Sequence, residues 1–289
     1  MTYRTNLRIA FFGTPHFAVY VLEEMKQAGL MPSVIVTAAE KPAGRGLLPR
    51  PSPVKIWGKR EGIQVCEPAK LEATDTEAAV LFQQTYDLFV VAGYGKILPH
   101  ALLSHAKHGV VNVHPSLLPK YRGPSPIESQ ILDDAREVGV SVILLDEETD
   151  HGPVIAQKSF TPGLWPIMRS ELEDLLWKEG GRLLAASIPP YMEGALAPVP
   201  QNHTLATFTK KLEKEDGLLD LSENAYTNYL KYCAYERWPG TFFFSEQNGK
   251  KIRIKITKAE YGGGQFKILR VIPEGKKETD YGDFARNLT

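Results

Sequence analysis

Short runs of apolar residues alternate with amphipathic segments along the first half of the chain. Five of these runs are nearly continuous in β-branched and aliphatic residues: 7–12, 33–38, 64–66, 88–92 and 110–113. Strands with this composition are buried on both faces, because helices cover both sides of a parallel sheet. Residues 17–28 have apolar side chains at helical spacing and stop at Gly29. The pattern predicts an α/β fold with a doubly wound, Rossmann-like and mostly parallel sheet.

The pattern changes after residue 137. Residues 138–145 and 154–160 have the composition of strands, and the connection between them is too short for a helical crossover. We therefore expect an antiparallel pair. Residues 169–186 are expected to form a long helix, and residues 194–201, with Pro198 and Pro200, have the composition of a linker.

A smaller β-rich region follows after about residue 205. The pattern predicts a helix over 222–235 with Ser222 as its N-cap, and then strands over 241–245, 251–257 and 265–272. Asn248-Gly249 is a strong hairpin signal between the first two strands. The predicted organisation is a main domain over 1–190, a linker over 191–208 and a C-terminal domain over 209–289.

Composition narrows the class of protein. The chain of 289 residues has 34 basic and 34 acidic residues, so a generally basic nucleic-acid coat is excluded. Its two cysteines exclude a disulfide framework and a cysteine-rich zinc site, and we expect no metal. No run of about 18 apolar residues occurs, so no membrane span is expected and the chain is expected to be cytoplasmic.

The turn after the first strand does not match a dinucleotide-binding loop. The fingerprint requires three glycines, whereas the sequence from Gly13 to Ala18 has only Gly13, and Pro15 and Phe17 would crowd a pyrophosphate. A nicotinamide oxidoreductase is therefore disfavoured. No Gly-Lys-Ser or Gly-Lys-Thr P-loop occurs either.

Candidate catalytic residues follow the fifth strand. Asn112 and His114 point to the same side of that strand, near the carboxyl end where open α/β sheets bind ligands. An amide and an imidazole placed in this way can both donate to one developing oxyanion. Asp150 would orient His114 if its loop folded back, although a capping Asn, a satisfied core His and a solvated acidic loop remain open alternatives.

Positive charge is concentrated in two segments of this neutral chain. Residues 41–60 contain six basic residues and no acidic one, which is typical of either a solvated helix face or a phosphate-binding loop. In the second segment, strand alternation places Lys251, Arg253 and Lys255 on one face and the isoleucines on the other. Such a face can follow a nucleic-acid backbone.

These segments together resemble the formyltetrahydrofolate-dependent formyltransferases. The most specific match is Asn-Val-His-Pro-Ser-Leu-Leu-Pro at 112–119, and others span the chain in family order. They include Phe-Gly-Thr-Pro-His-Phe-Ala at 12–18, Lys-Pro-Ala-Gly-Arg-Gly at 41–46, Tyr-Gly-Lys-Ile-Leu-Pro at 94–99, Asp-His-Gly-Pro at 150–153 and Trp-Pro-Gly at 238–240. The sequence departs from the family pattern at His151 and at Glu236-Arg237.

The resemblance implies roles for individual residues. Asn112, His114 and Asp150 match the catalytic trio of the family. The segments that contact 10-formyltetrahydrofolate, the formyl donor, correspond to Tyr94, Gly95, Ile97, Leu98, Ser116, Leu117, Leu118 and Pro119.

The resemblance also implies an acceptor. The loop at 41–46 and the second domain are features of family members that act on methionyl initiator tRNA in translation initiation. By the same resemblance the second domain is a small OB-like β-barrel that holds the tRNA, and Arg45 reaches the acceptor end. With Lys41 of the same loop and the basic face of Lys251, Arg253 and Lys255, these are the expected tRNA-binding residues. The chain is expected to act as a monomer.

Three other interpretations remain. A formyltransferase acting on a nucleotide-linked amino sugar, or on glycinamide ribonucleotide, would use the same trio. A formyltetrahydrofolate hydrolase would lack the basic loop. A tRNA-binding module with an inactive α/β domain would not need Asn112, His114 and Asp150 intact.

Overall fold

The computed structural model describes residues 7–43, 48–247 and 249–286. The chain divides into two compact units that are each discontinuous in sequence. The first contains Met1–Arg122, Gly139–Phe160 and Glu173–Thr207, and the second contains Gly123–Val138, Thr161–Leu172 and Phe208–Thr289.

The helices and strands before residue 193 are β1 (Ile9–Gly13), α1 (His16–Gln27), β2 (Val34–Val36), β3 (Lys41–Ala43), β4 (Leu48–Arg50), α2 (Pro53–Arg60), β5 (Gln64–Cys66), α3 (Ala79–Gln83), β6 (Leu88–Ala92), α4 (His100–Leu103), β7 (Val110–His114), α5 (Pro126–Leu132), β8 (Val138–Leu144), β9 (Val154–Phe160) and α6 (Arg169–Met192). Those after it are α7 (Ala225–Ala234), β10 (Phe242–Gln247), β11 (Lys250–Gly262), β12 (Gln265–Pro273), β13 (Thr279–Asp280) and α8 (Tyr281–Arg286).

A seven-stranded sheet of order β5-β2-β1-β6-β7-β8-β9 forms the centre of the first unit. The strands from β5 to β7 pair in parallel, and β8 pairs with β7 in the antiparallel direction. The prediction of a mostly parallel α/β sheet is therefore confirmed. β8 and β9 are neighbours in the sheet, in agreement with the short connection between them.

The central strands are buried because their side chains are apolar on both faces. Every residue of β1 and β6 is buried. On one face, the Phe12 ring packs against Phe89 and Tyr94, with ring centroids 5.3 Å and 5.5 Å apart. This packing holds the carboxyl end of β1 against β6 and against the segment that follows β6.

Two helices differ from the sequence prediction. α2 was not predicted; its N-cap is Ser52, whose hydroxyl accepts the Lys55 amide N–H, and Pro53 is the first helical residue. α6 continues beyond residue 186 to Met192 and includes Pro189 and Pro190. The predicted end of this helix was therefore too early.

The second unit has an antiparallel sheet of order β10-β11-β12-β13. Gln247 pairs with Lys250, so the predicted hairpin is present, although Asn248 lies outside the described residues. The core against this sheet consists of Leu219, Phe243, Ile254, Ile256, Val271 and Phe284. A separate antiparallel C-terminal sheet is thus present.

The predicted cap of α7 was wrong. The helix begins after Asn224, whose side-chain oxygen accepts the amide N–H groups of Tyr226 and Thr227. Ser222 donates its hydroxyl to Asp220 instead. Asn and Ser are nearly equivalent N-caps, so propensity alone could not choose between them.

Segments 123–138 and 161–172 pack with the C-terminal residues. The Asp134 carboxylate accepts hydrogen bonds from the Trp165 indole and the Tyr226 hydroxyl, at 2.6 Å and 2.7 Å. The division at residues 190 and 208 stays a prediction about domains. Across the described ranges, no helix has the length and apolar character needed to cross a membrane.

Candidate active site

A cleft of about 410 Å³ opens at the carboxyl ends of β6 and β7. Asn112 of β7 and Asp150 of the loop after β8 both line it. Apolar walls come from Ile97, Leu98, Leu103 and Leu145. The loop from Asp146 to Asp150 forms a further, acidic side. The cleft therefore combines an apolar surface with two of the three predicted catalytic residues.

The third predicted residue, His114, contacts Asp150 directly. His114 is 4% exposed, and its Nδ1 lies 3.5 Å from Asp150 Oδ1. This distance is longer than a strong hydrogen bond and is that of an ion-pair contact. The loop after β8 thus folds back onto β7, and the structure brings Asn112, His114 and Asp150 to the same place.

The other ring nitrogen of His114 is held by the backbone. His114 Nε2 lies 2.9 Å from the carbonyl oxygen of Tyr121. A carbonyl only accepts, so this contact requires a proton on Nε2. Nδ1 is consequently the nitrogen that faces Asp150.

Both partners of His114 have left-handed backbone conformations. Asp150 has φ 50° and Tyr121 has φ 62°. Non-glycine residues adopt this region infrequently, although Asp tolerates it better than most. The surrounding hydrogen bonds must therefore hold these two residues in place.

The predicted donor-binding residues lie in two segments, one after β6 and one after β7. In the segment after β6, only some of the residues line the cleft. Ile97 and Leu98 line the cleft, and Ile97 is 92% exposed. Tyr94 and Gly95 follow β6, and burial raises the pKa of the Tyr94 phenol to about 12. The Tyr94 hydroxyl is buried without a hydrogen-bond partner among the described residues.

The segment from Ser116 to Pro119 does not line this cleft but is fixed beside it. Ser116 is fully buried and donates its hydroxyl to the Lys120 carbonyl. Ser141 donates to the Ser116 carbonyl and accepts the Leu118 amide N–H. Leu117 is half-buried, and Pro119 follows a cis peptide bond.

His151, the departure from the family pattern, contacts residues outside the trio. Its Nδ1 lies 2.7 Å from Asp146 Oδ2, and its ring stacks on His203 with centroids 4.1 Å apart. His203 Nδ1 in turn lies 2.9 Å from the guanidinium of Arg122. His151 therefore pairs with a carboxylate other than Asp150.

Sequence reasoning missed Gln201, which lies in the segment interpreted as a linker. Gln201 is 7% exposed and donates to the carbonyls of Asp150 and Gly152 at 2.9 Å and 2.7 Å. Val199 also forms a β-bridge with Val154. The segment therefore packs against other parts of the first unit and is not a free linker. The prediction of a linker from its prolines was wrong.

The basic segment 41–60 is partly neutralised. Lys55 binds Glu40 and Glu67, which raises the pKa of its ammonium group, and Arg60 binds Glu23 and Glu61. Arg50 and Lys59 are exposed. Lys41 lies in β3, which pairs with β4, whereas Arg45 lies outside the described residues.

The basic strand β11 has the predicted alternation. Ile254 and Ile256 are buried, whereas Lys251 and Lys255 are exposed. The Arg253 guanidinium lies over the Phe242 ring, 3.7 Å from its centroid, and the Lys251 ammonium lies 4.5 Å from the Phe244 centroid. Cations are therefore displayed beside aromatic rings on one side of this sheet.

A second cleft, of about 360 Å³, lies next to this basic strand within the second unit. It is lined by Lys214, Arg253 and Lys255, and by Trp238, which is 51% exposed. Glu274 is the acidic residue among the described lining residues. An exposed indole among cations is typical of single-stranded nucleic-acid sites.

No candidate metal site is found among the described residues. The described ranges contain no group of three or more His, Cys, Asp or Glu that could hold an ion.

Comparison with known proteins agrees with this geometry. The family model described as formyl transferase matches residues 7–162, which include Asn112, His114 and Asp150. This match, together with the cleft at the carboxyl ends of a doubly wound sheet, defines the class of protein as a formyl transferase.

Relatives that extend over both units refine the class. The methionyl-tRNA formyltransferase of Thermus thermophilus is 39% identical over 277 residues, covering 93% of this chain and 86% of the relative. That of Roseiflexus sp. is 41% identical over 306 residues, covering 98% and 93%. The chain belongs to the methionyl-tRNA formyltransferase family.

Solved structures share the fold at low sequence identity. An N-formyltransferase from Helicobacter canadensis, in complex with folinic acid and dTDP-3-aminofucose, has a TM-score of 0.65 at 16% identity, covering 91% of this chain and 95% of that one. HypX from Aquifex aeolicus, in complex with tetrahydrofolic acid, has a TM-score of 0.63 at 15% identity, covering 97% and 47%. These likenesses show the fold.

Proposed function

We propose that the protein transfers a formyl group from 10-formyltetrahydrofolate to the α-amino group of methionyl initiator tRNA, in the cytoplasm, for translation initiation. One observation carries the proposal: the similarity to methionyl-tRNA formyltransferases covers 98% of the chain and so includes the second unit. An N-formyltransferase for an amino sugar also shares the fold over most of the chain, so it is the basic surface of the second unit that favours tRNA. A small acceptor presents no long phosphate backbone for such a surface.

The trio has the groups that formyl transfer needs. The amine forms a bond to the formyl carbon, the bond from that carbon to N10 of the donor breaks, and the proton lost by the amine goes to N10. The Asn112 amide donates to the formyl oxygen as negative charge develops on it. His114 Nδ1 donates as well when the ring is an imidazolium, because Nε2 keeps its proton for the Tyr121 carbonyl. Each such donor contributes roughly 3 kcal/mol to transition-state stabilisation. Asp150 orients His114 and assists the proton transfer.

The cleft suits the donor's aromatic heterocycle. Its apolar walls, which include Ile97, Leu98 and Leu103, offer surface for a flat ring, and its polar groups converge on one side. Tyr94 and Gly95 come directly before Lys96 and Ile97, which line the cleft, and we assign them to the same donor-binding segment. The segment from Ser116 to Pro119 acts by fixing the loop beside His114.

The second unit supplies affinity for the acceptor. We assign it the OB-like barrel of the family, with Lys251, Arg253 and Lys255 on the phosphate backbone and Trp238 available for stacking. Lys41 and Arg45 bind the end of the tRNA that carries the amino acid. A monomer suffices, because Asn112, His114 and Asp150 all come from one chain.

A direct acceptor comparison tests the proposal. The protein is incubated with 10-formyltetrahydrofolate and either methionyl initiator tRNA, a nucleotide-linked amino sugar or glycinamide ribonucleotide. We expect formyl transfer to the tRNA alone, at a rate that Asp150→Asn abolishes. Transfer to the amino sugar but not to the tRNA would replace the proposed function by its nearest alternative. Release of formate without an acceptor would indicate a hydrolase.

A further inference from the structure

Gln201 makes four hydrogen bonds from a buried position. Its Oε1 accepts from Nε and Nη2 of Arg122, at 3.2 Å and 2.6 Å. Its Nε2 donates to the carbonyls of Asp150 and Gly152, at 2.9 Å and 2.7 Å. Guanidinium groups only donate and carbonyls only accept, so the orientation of the amide is unambiguous. Both ends of the amide are therefore fully engaged.

These bonds join the two loops that hold His114. Asp150, on one side of the ring, is attached to Gln201 through its own carbonyl. Tyr121, on the other side, precedes Arg122, which is 3% exposed and whose guanidinium binds the same amide. Gln201 thus bonds directly to the backbone of Asp150. Through the Arg122 side chain it is also connected to the residue that follows Tyr121.

Thr207 reinforces the connection on the Tyr121 side. Its Oγ1 accepts the Tyr121 amide N–H at 2.8 Å, and its carbonyl accepts the Arg122 amide N–H at 2.9 Å. Gln201 and Thr207 belong to one short segment of the first unit. That segment therefore holds Tyr121, Arg122 and Asp150 relative to one another.

The two partners of His114 that this segment holds have backbone conformations that need external support. Tyr121 and Asp150 both have positive φ. A Cβ at Gly152 would clash with the Leu144 carbonyl, so the loop has little freedom to relax around Asp150. Without the amide of Gln201, the buried Gly152 carbonyl, the part-buried Asp150 carbonyl and the buried Arg122 guanidinium would each lose one partner.

We infer that Gln201 is a positioning residue for the reaction, which sets the distance between the two groups that orient His114. The inference rests on the proposed function for its kinetic readout. Gln201 does not touch the reacting atoms; it acts through the Asp150 carbonyl and through Arg122. The consequence is that the segment after α6, which has the composition of a linker, is part of the catalytic framework.

Two variants separate the bonds of Gln201. Gln201→Met keeps the volume and removes all four hydrogen bonds. Gln201→Glu keeps an oxygen for Arg122 but places its second oxygen against the carbonyls of Asp150 and Gly152. A misplacement of about 1 Å costs roughly 100-fold in rate, so we expect each variant to lower kcat by about that factor. The KM for the formyl donor should stay unchanged.

The Gln201→Glu protein has an additional signature. When protonated, its carboxyl group donates one hydrogen bond to a backbone carbonyl, as the amide does. The ratio of its kcat to that of the wild type should therefore rise as the pH falls. A residue that merely fills space would give a ratio independent of pH.

A spectroscopic readout does not depend on the activity. In protein with ¹⁵N-labelled histidine, the His114 signals are assigned by comparison with a His114→Asn protein. Gln201→Met and Gln201→Glu should shift the His114 ring nitrogens. The matched control is Gln130→Met, because Gln130 is also buried and donates to the Pro126 carbonyl in the second unit. It should leave both the His114 signals and kcat unchanged.

The outcomes distinguish this inference from the proposed function. If no acceptor is formylated but the His114 signals move in the two Gln201 variants, the positioning role stands and the proposed function fails. If kcat and the His114 signals are unchanged in a folded Gln201 variant, the positioning role is wrong. Should Gln201→Met not fold, Gln201→Glu provides the same test, since its contact with Arg122 is retained.

Discussion

The two units carry polar groups in opposite ways. In the first unit His114 is 4% exposed, with an acceptor at each ring nitrogen. In the second unit Lys251 and Lys255 are exposed, and the Lys251 ammonium lies over an aromatic ring. Buried, fixed donors are suited to stabilising a transition state, whereas exposed cations attract a polyanion over a distance. Under the proposed function, this difference predicts that chemistry and acceptor affinity are separable, and variants in each unit should test it.

The largest effect should come from removing a donor in the cleft. Asn112→Ala and His114→Ala should each lower kcat by about 100-fold, because an oxyanion donor is lost. His114→Ala should also cost about 1–3 kcal/mol of stability, because the Tyr121 carbonyl loses its partner. Steady-state kinetics and denaturant unfolding measure both effects.

His105 offers a matched control for His114. Its Nε2 also contacts a backbone carbonyl, that of Gln84, at 3.1 Å. His105→Ala should leave kcat unchanged. Near-normal turnover in Asn112→Ala would remove that residue from the oxyanion role.

The next effect concerns the carboxylate. Asp150→Asn should abolish most of the transfer while donor affinity is kept, because Asn fits the same volume and also tolerates positive φ. Calorimetric titration with 5-formyltetrahydrofolate, beside single-turnover kinetics, checks this. Asp174→Asn is the control, since Asp174 accepts the Tyr20 hydroxyl and does not line the cleft. A collapse of donor affinity with chemistry preserved would make Asp150 a donor contact instead.

Smaller effects are expected when the cations that we assign to tRNA binding are removed. Arg45→Ala should raise the KM for charged tRNA and reduce the slope of log K against log salt by about one, since one phosphate contact is lost. Lys251→Ala and Lys255→Ala should act in the same direction but more weakly. Lys70→Ala, at an exposed lysine of the first unit, should change neither quantity. If Arg45→Ala leaves both the KM and the salt slope unaltered, the segment 41–60 is a solvated surface.

The smallest effect concerns the reactivity of the two cysteine thiols, which shows whether each unit stays folded. Burial raises the pKa of the Cys66 thiol to about 11 and that of Cys233 to about 12. At pH 8 both thiols should stay protonated in the folded protein and react slowly with a disulfide reagent. Each unit has one of these cysteines. Rapid labelling of Cys233 alone in the native protein would show that the second unit opens independently.

The same thiols predict a loss of stability in alkali. An unfolded thiol ionises near about pH 8.5, whereas the folded ones hold their protons to a higher pH. Above about pH 8.5 the folded chain binds more protons than the unfolded chain, so the free energy of unfolding falls as the pH rises. Serine at both positions should reduce this slope.

Much of the first unit follows from the sequence. Its strands are runs rich in β-branched residues, and their apolar character on both faces allowed a mostly parallel sheet to be predicted. The helix α2 could have been predicted from Ser52-Pro53, which is a strong helix start. The discontinuous units could not, because they depend on distant contacts such as that between Asp134 and Tyr226.

The candidate site was predictable only in part. The positions of Asn112 and His114 follow from strand alternation, but the contact of Asp150 with His114 depends on a loop that spacing does not determine. Gln201 carries no sequence signal of its own, because a glutamine among prolines has the composition of a surface linker. Its role depends on carbonyls that are brought to it from elsewhere in the chain.

The central claim is that the first unit performs the chemistry and the second unit provides affinity for tRNA. The most direct test measures kcat and the salt dependence of KM for methionyl initiator tRNA, in parallel, for Asn112→Ala and for the combined Lys251→Ala, Arg253→Ala and Lys255→Ala protein. We predict that Asn112→Ala lowers kcat and leaves the salt slope of KM unchanged. The triple variant should keep kcat at saturating tRNA and flatten the slope. If both proteins change the same quantity, the two units do not divide the work in this way.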